Sequence, residues 1–315
     1  MSNGSTFPPH RRLRGTVVLA VLAAVLVTAA VGWLALRSSR GNGGAPPGAA
    51  HPAPGESADG SRPPRGEGDK GGRGDKGDAP GKGGTGEGKP HGSLKGKTVV
   101  IDPGHNPHNR DHGREIARLV NIGNERKECD TTGTSTNAGY AEASFTLDVA
   151  RRVRTLLRHE GAKVVFTQDG DRAYGPCVDE RAAAGNKAHA DAAVSVHADG
   201  SAAGNHGFHV IMPARVTAGA ADTSAIVGPS RRLGERLAGR FVAATGSAPS
   251  NYIGGGTGLD VRSDLGGLNL SEVPKVFLEC GNMRDPKDAA HLTDAQWRQK
   301  AARGITEGIT DFLTS

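Results

Sequence analysis

Glycine and proline are distributed unevenly along this chain, and their distribution limits how much of it can fold. Both residue types are concentrated before residue 97 and become sparser after it. Nearly all of the strand-like and helix-like patterning lies after the same point, in a stretch long enough to bury a core. The 315 residues therefore predict one folded domain, over residues 96–315, rather than two.

An uncharged apolar run, TVVLAVLAAVLVTAAVGWLAL, occupies residues 16–36. Its length of about 20 residues is what a helix needs to cross a bilayer. The run ends in large side chains rather than in the small residues of a cleavage site, and slightly more arginines precede it than follow it. We therefore expect a single-pass anchor in the cell membrane, with residues 1–15 in the cytoplasm and the folded domain extracellular. The alternative is an export signal that is removed to give a secreted protein.

Residues 38–95 consist mainly of glycine, proline, serine and alternating charges, as in GEGDKGGRGDKGDAPGKGGTGEGK. This composition offers almost no apolar side chain to bury, so it predicts a disordered linker. Some of its glycines have the three-residue spacing of collagen, but the register fails at Pro80. We expect the segment to act as a flexible tether.

The net charge of the chain is +6 and its pI is near 9.4, values that would suit an acidic partner. Anionic lipids and anionic wall polymers both fit that description. Aromatic residues make up only 4% of the chain, and no zinc-finger spacing is present. The sequence therefore predicts no nucleic-acid partner.

The chain has three cysteines, which show neither CxxC spacing nor the density of a disulfide scaffold. Cys129 and Cys177 lie in segments that read as loops, whereas Cys280 follows an apolar run and is expected to be buried. In an exported protein the first two could form a disulfide, and we expect that they do. The alternative is three unrelated thiols.

The segments after the linker alternate between strand and helix patterns. KTVVIDPGH predicts a buried strand, and AEASFTLDVARRVRTLLRHEGAKVVFTQDGD predicts a helix that leads into a second strand. Further elements are predicted as a helix around 179–188, strands at 192–196 and 207–212, a helix at 229–245, a strand at 275–279 and a last helix at 294–313. The pattern indicates an α/β fold with helices on both faces of the sheet.

Three of the apolar strands end in residues that bind metals or move protons, namely His105, His197 and Glu279. In α/β sheets, functional sites lie at the carboxyl ends of the strands. A catalytic zinc takes three protein ligands and leaves a position for water. The two histidines supply two ligands, and Glu142, at the start of the first long helix, is the best placed third. Glu279 is then the candidate proton shuttle.

Each of these residues also has a simpler interpretation. Glu142 could be an acid that interacts favourably with the positive end of the helix dipole, and His105 could be a turn residue after Pro-Gly. His197 could bond a backbone carbonyl, and Glu279 could pair with an arginine. The convergence of all four on one sheet edge favours the metal site. The other histidines, which include His108, His112, His189, His206, His209 and His291, are predicted to be structural or exposed residues in loops or helices.

Four segments together resemble a known family: VVIDPGHN, YAEASFTLDVA, ERAAAGNKAHADAAVSVHADG and VFLECGNMRDPKDAAHL. They look like the zinc-dependent N-acetylmuramoyl-L-alanine amidases of the amidase_3 type, and most of all like the actinobacterial ones. The resemblance covers residues 97–315. It implies a mixed β-sheet between helices, Zn²⁺ held by His105, Glu142 and His197, and Glu279 as the catalytic glutamate.

The chain also departs from that family. Asn106 stands where many relatives have glycine, and a polar insertion, 106–141, follows it and contains Cys129. We expect the insertion to form a hairpin over the cleft and a disulfide to pin it to the loop before Val178. Asn282 and Asp285 stand where relatives often have phenylalanine and asparagine, which predicts an altered pocket wall.

The resemblance implies a reaction as well. Zinc-activated water would attack the amide between N-acetylmuramic acid and L-alanine of peptidoglycan, with Glu279 passing the proton to the leaving nitrogen. A monomer is expected. Two alternatives remain at the level of sequence: a non-catalytic module that binds peptidoglycan, and a zinc peptidase that cuts within the stem peptide.

Overall fold

The computed structural model describes residues 93–315. The predicted anchor at 16–36 and nearly all of the predicted linker lie outside the described residues. Within 93–315, no helix combines the length and the apolar character that crossing a membrane requires. Leu94 is fully buried and its N–H donates to the Glu160 carbonyl at 2.9 Å. The folded part therefore includes Leu94, which the sequence analysis assigned to the linker.

A six-stranded mixed sheet forms the centre of the described part. Its strands, in spatial order, are β4 (Lys163–Phe166), β1 (Thr98–Pro103), β5 (Ala192–Asp199), β10 (Lys275–Asn282), β6 (His209–Pro213) and β9 (Leu259–Arg262). The first four are parallel, β6 is antiparallel to β10, and β9 is parallel to β6. Two small hairpins accompany the sheet: β2 (Leu119–Asn121) with β3 (Arg126–Glu128), and β7 (Thr217–Ala218) with β8 (Ala221–Asp222).

Helices cover both faces of the sheet, which confirms the predicted α/β class. They are α1 (Gly113–Ile116), α2 (Glu142–His159), α3 (Val178–Lys187), α4 (Val227–Thr245), α5 (Gly266–Asn269), α6 (Pro286–Thr293) and α7 (Ala295–Thr314). Four of them, α2, α4, α6 and α7, contribute to the main apolar core. On the strand side this core contains Ile101, Val194, Val196, Val276 and Leu278. Because strand side chains alternate between faces, the remaining positions of these strands point to the opposite face.

That opposite face carries a buried polar cluster. Asp102 is 0% exposed and accepts hydrogen bonds from Lys275 Nζ at 3.0 Å and Arg181 Nη1 at 2.8 Å. The hydroxyls of Ser195 and Thr167 donate to the same carboxylate, at 2.9 and 2.6 Å. A buried carboxylate is tolerated only when it is paired and fully hydrogen-bonded. This cluster fixes α3, which carries Arg181, against β1.

Because of this cluster, we expect the folded state to lose stability in acid. Burial opposes ionisation of Asp102, but Lys275 and Arg181 outweigh it and hold the pKa of that carboxyl well below its usual range. Arg181 likewise lowers the pKa of Asp130 to about 2 against its burial, which corresponds to about 2 kcal/mol. Carboxyls with depressed pKa values stabilise the fold above about pH 4 and lose that contribution as pH falls. The free energy of unfolding in urea should therefore fall between pH 5 and pH 3, and a constant value would contradict the prediction.

The 106–141 insertion contains the β2–β3 hairpin and is joined to the rest of the domain by a disulfide. Cys129 bonds to Cys177 with a Cα–Cα distance of 4.3 Å and a sequence separation of 48. The Val178 N–H donates to the Cys129 carbonyl at 2.8 Å, so a backbone bond supports the same junction. Cys280 is free and buried. The structure therefore pairs the two cysteines that the sequence analysis paired.

Thiol counting tests this disulfide. Unreduced protein in denaturant should show one reactive thiol, and reduction should raise the count to three. A Cys280→Ala control should show none before reduction.

Replacing Cys129 and Cys177 together with serine should lower the free energy of unfolding by about 3–4 kcal/mol, because the bridge closes a loop of intermediate length. Three reactive thiols before reduction would contradict the pairing.

Candidate metal centre and active site

The parallel strands β1, β5 and β10 bring three of the predicted residues to one edge of the sheet. His105 follows the end of β1 by two residues, and His197 and Glu279 lie near the ends of β5 and β10. Glu279 is paired in register with His197, so both side chains leave the same face of the sheet. Phe277 stacks on the His197 ring, with centroids 5.2 Å apart.

Glu142 completes the group from the N-terminus of α2. Its Oε1 atom lies 3.2 Å from His105 Nε2 and 3.0 Å from His197 Nδ1. One donor atom from each of the three residues lies within 4.8 Å of the other two. The side chains of His105 and His197 are each 13% exposed and that of Glu142 is 5% exposed. The group is therefore compact and largely shielded from solvent.

Backbone donors fix the orientation of the Glu142 carboxylate. Thr134 N–H donates to Oε2 at 2.9 Å and Ala198 N–H donates to Oε1 at 3.2 Å. Two glycines make room for the group. A Cβ on Gly104 would lie 2.3 Å from the His197 ring, and one on Gly133, at φ +72°, would lie 2.7 Å from the His105 ring. The site therefore depends on small residues where the sequence analysis saw only a turn and a loop.

The electrostatics of the group favour a cation between its members. Burial opposes a charge on His105, but the carboxylates of Glu142 and Asp130 outweigh burial and raise its pKa to about 10. Burial also opposes ionisation of Glu142, yet the two imidazoles hold the pKa of that carboxyl well below its usual range. Two imidazole nitrogens and one carboxylate oxygen are a donor set that zinc prefers. The residues present therefore fit a divalent metal ion of this kind.

Glu279 lies beside this group in a different environment. Burial, followed by the charges of Glu142 and Asp199, raises the pKa of its carboxyl well above the ordinary value. Its Oε2 atom is buried and has no hydrogen-bond partner in the described part of the chain. Such a carboxyl can hold a proton near neutral pH, which is what a general acid requires.

One histidine prediction was wrong. His209 lies in β6, which agrees with the strand predicted at 207–212 but not with its assignment to a loop or helix, and it is only 2% exposed. It is the register partner of Glu279 across the antiparallel pair and contacts Tyr252 edge-on, with centroids 5.9 Å apart. Burial lowers its pKa, so a neutral imidazole lies in the strand next to Glu279. Tyr252 in turn donates its hydroxyl hydrogen bond to Asp199 at 2.6 Å.

Two cavities meet at this group. The first, which we call the metal cleft, has a volume of about 380 Å³ and is lined by the three donors together with Glu279, Asp199 and Arg262. The second, the hairpin cavity, has a volume of about 500 Å³ and is lined by Leu119, Arg126 and Lys127 of the β2–β3 hairpin and by Val178 and Gly266. His105, His197 and Phe277 line both. An extended substrate can therefore lie on both sides of the donor group.

The predicted alteration of the pocket wall by Asn282 and Asp285 was wrong. Neither cavity is lined by Asn282 or Asp285. Asn282 is buried and donates to the Asn205 carbonyl at 2.6 Å, which holds the loop after β5. Asp285 caps α6 by accepting from the N–H groups of Lys287 and Asp288. Both residues therefore have structural contacts behind the cleft.

Two histidines and Glu142 lie beside Glu279 at the carboxyl edge of a mixed α/β sheet, an arrangement that fits the donor set of a metal-dependent hydrolase. The family model described as N-acetylmuramoyl-L-alanine amidase matches residues 99–311. The chain belongs to this family.

Individual proteins that resemble this chain carry the same family name. The chain is 40% identical over 225 residues to the N-acetylmuramoyl-L-alanine amidase Rv3717 of Mycobacterium tuberculosis, which covers 71% of this chain and 89% of the relative. The crystal structure of the amidase Ami1 from Mycobacterium smegmatis matches with a TM-score of 0.65 and 41% identity, over 70% of this chain and 98% of that one. Ami1 from Mycobacterium abscessus matches with a TM-score of 0.64 and 40% identity, over 70% of this chain and 100% of that one.

Proposed function

We propose that the protein is a zinc-dependent N-acetylmuramoyl-L-alanine amidase, which hydrolyses the amide between the lactyl group of N-acetylmuramic acid and L-alanine in peptidoglycan. The observation that carries the proposal is the convergence of His105, Glu142 and His197 beside Glu279 in a member of this family. A non-catalytic binding module would have no need for a buried carboxyl with a raised pKa next to a complete donor set.

The three donors are proposed to hold the zinc ion. Zinc supplies Lewis-acid chemistry, in that it lowers the pKa of water and polarises the carbonyl of the scissile amide. Glu142 offers the negative charge, and its two backbone hydrogen bonds keep the carboxylate directed at the imidazoles. Phe277 packs flat on His197, which restricts rotation of that ring.

Glu279 is proposed to move the proton. It takes a proton from the attacking water and then donates it to the alanine nitrogen, so that the amine can leave while the acid product keeps the added oxygen. No covalent bond to the enzyme is required. Cys280, the next residue, points into the main core, and burial raises the pKa of its thiol well above the ordinary value. A thiolate mechanism is therefore disfavoured.

Digestion of purified peptidoglycan by the full-length protein tests the proposal. Mass spectrometry of the products should show peptides that begin with L-alanine and carry a free amino group, together with glycan strands that lack peptides. Peptides cut between stem residues would indicate a zinc peptidase instead. Binding to peptidoglycan without any product would indicate a non-catalytic module.

We further propose that residues 16–36 anchor the protein in the cell membrane, with the catalytic domain on the outer side. The support is the length and apolar character of this segment, which lies outside the described residues. Cell fractionation and N-terminal sequencing of the mature protein test the idea. A soluble protein that begins after Arg37 would show that the segment is removed.

A further inference from the structure

His105 has a backbone conformation that the chain must hold in place. Its φ is 60°, in the left-handed region that non-glycine residues seldom adopt, and such a residue costs of the order of 1–3 kcal/mol. The His105 carbonyl accepts two hydrogen bonds, from Gln168 Nε2 at 2.9 Å and from Arg181 Nη2 at 3.0 Å. These two donors fix the peptide that sets the direction of the ring.

The ring itself is fixed on the side away from Glu142. His105 Nδ1 lies 3.1 Å from the Thr131 carbonyl and 3.4 Å from Asp130 Oδ1. Asp130 Oδ1 also accepts from the Thr131 N–H at 2.8 Å, so the carboxylate orders the segment that supplies the carbonyl. When Nδ1–H donates to this side, the neutral form of the ring carries no proton on Nε2, the nitrogen that faces Glu142. This is the tautomer that a metal needs at Nε2.

Arg181 connects the two supports. Its Nη2 atom donates to the His105 carbonyl and also to Asp130 Oδ2, at 2.9 Å. Its other donors go to Asp102 Oδ1 and to the carbonyls of Pro103 and Pro176. All five N–H groups of the guanidinium therefore have acceptors, and the side chain is only 5% exposed. A residue used so completely acts as a rigid template, which lysine cannot replace.

The disulfide lies directly beside this arrangement. Cys129 precedes Asp130 in the chain, and Cys177 is the N-cap of α3, one turn before Arg181. The bridge therefore joins two segments that also meet through an ion pair: Asp130 follows Cys129, and Arg181 lies one turn after Cys177. The 106–141 insertion supplies Asp130, and helix α3 supplies Arg181.

We propose that Asp130 and Arg181 are positioning residues that hold His105 in the conformation and tautomer needed for zinc binding. The proposal rests on the proposed zinc site, but it concerns metal affinity, which can be measured apart from amidase activity. Asp130 acts through the Nδ1 side of the ring, and Arg181 acts through the backbone carbonyl and through Asp130. Both residues line the hairpin cavity, but the proposal gives neither of them a contact with the substrate.

The test is the zinc dissociation constant of the purified full-length protein, measured by competition with a chromogenic chelator. Asp130→Asn keeps the size of the side chain but removes its charge, and it should weaken zinc binding about 10–100-fold. Asp130→Glu should restore part of the affinity because it restores the charge. At saturating zinc, the kcat of Asp130→Asn should return to within a few-fold of the wild-type value.

A matched control separates positioning from general stability. Asp169 also accepts from two arginines, Arg151 and Arg154, but these belong to the outer face of α2. Asp169→Asn should leave the zinc dissociation constant unchanged. A folded Asp130→Asn with wild-type zinc affinity would overturn the proposal, even if its melting temperature were lower. A wild-type protein that bound no zinc would instead overturn the proposed function.

Discussion

Replacing Glu279 with glutamine is expected to lower kcat by about 10²–10⁴-fold while the protein keeps its zinc. Glutamine has nearly the same shape but cannot take a proton from water or return one to the alanine nitrogen. Glu279 is not among the three donors His105, Glu142 and His197, so metal binding should not depend on it. The measurements are release of L-alanine-terminated peptides from peptidoglycan and zinc content by atomic absorption.

Glu272→Gln is the matched control for that substitution. Glu272 is an exposed glutamate just before β10, and its neutralisation should change neither kcat nor zinc content. If Glu279→Gln kept more than about a tenth of the wild-type kcat, a general acid and base at this position would be ruled out. Loss of zinc together with activity would mean that Glu279 belongs to the metal site instead.

Replacing His197 with alanine is expected to remove both zinc and activity. The substitution takes one of three donors from the site and removes one of the contacts of Glu142 Oε1, the one to His197 Nδ1 at 3.0 Å. A zinc site with two protein ligands binds far more weakly, and hydrolysis should fall to background at micromolar zinc. Zinc should also raise the melting temperature of the wild-type protein but not of the variant, because a ligand stabilises only the state that binds it.

His206→Ala serves as the comparison for His197→Ala, because His206 is an exposed histidine in the loop after β5. That variant should bind zinc and cleave peptidoglycan as the wild type does. Removing zinc with a chelator should imitate His197→Ala, and adding zinc back should restore activity only where His197 is intact. A His197→Ala protein with full zinc content would contradict the assigned ligand set.

The positions of His105, His197 and Glu279 were predictable because each follows a run of apolar residues. Such a run becomes a buried strand, and parallel strands present their carboxyl ends at one edge. The start of α2 at Glu142 was predictable from helical spacing. These inferences need only local sequence and one general rule about sheets, which is why they succeed.

The support around His105 could not be predicted in the same way. Arg181 meets Asp130 across 51 residues and Asp102 across 79 residues, and nothing local indicates either contact. The direction of β6 was not predicted. His209 was assigned to a loop or helix although the strand predicted at 207–212 contains it, and its burial depends on strand pairing that local sequence does not reveal. The prediction that Asn282 alters the pocket wall was wrong for a related reason. Its side chain donates to the Asn205 carbonyl in the loop after β5, and that contact depends on how the loop folds.

The Cys129–Cys177 bridge has a consequence for the maturation of the protein. If Asp130 and Arg181 set the affinity for zinc and the bridge holds them together, a newly synthesised chain in which Cys129 and Cys177 are still reduced would bind the metal poorly and remain latent. Oxidation then acts as the assembly step that converts an inactive precursor into a competent hydrolase. Hydrolysis would begin only in a compartment where disulfides persist, so the timing of activity would be set by the chemistry of the surroundings, with no need for a separate inhibitor.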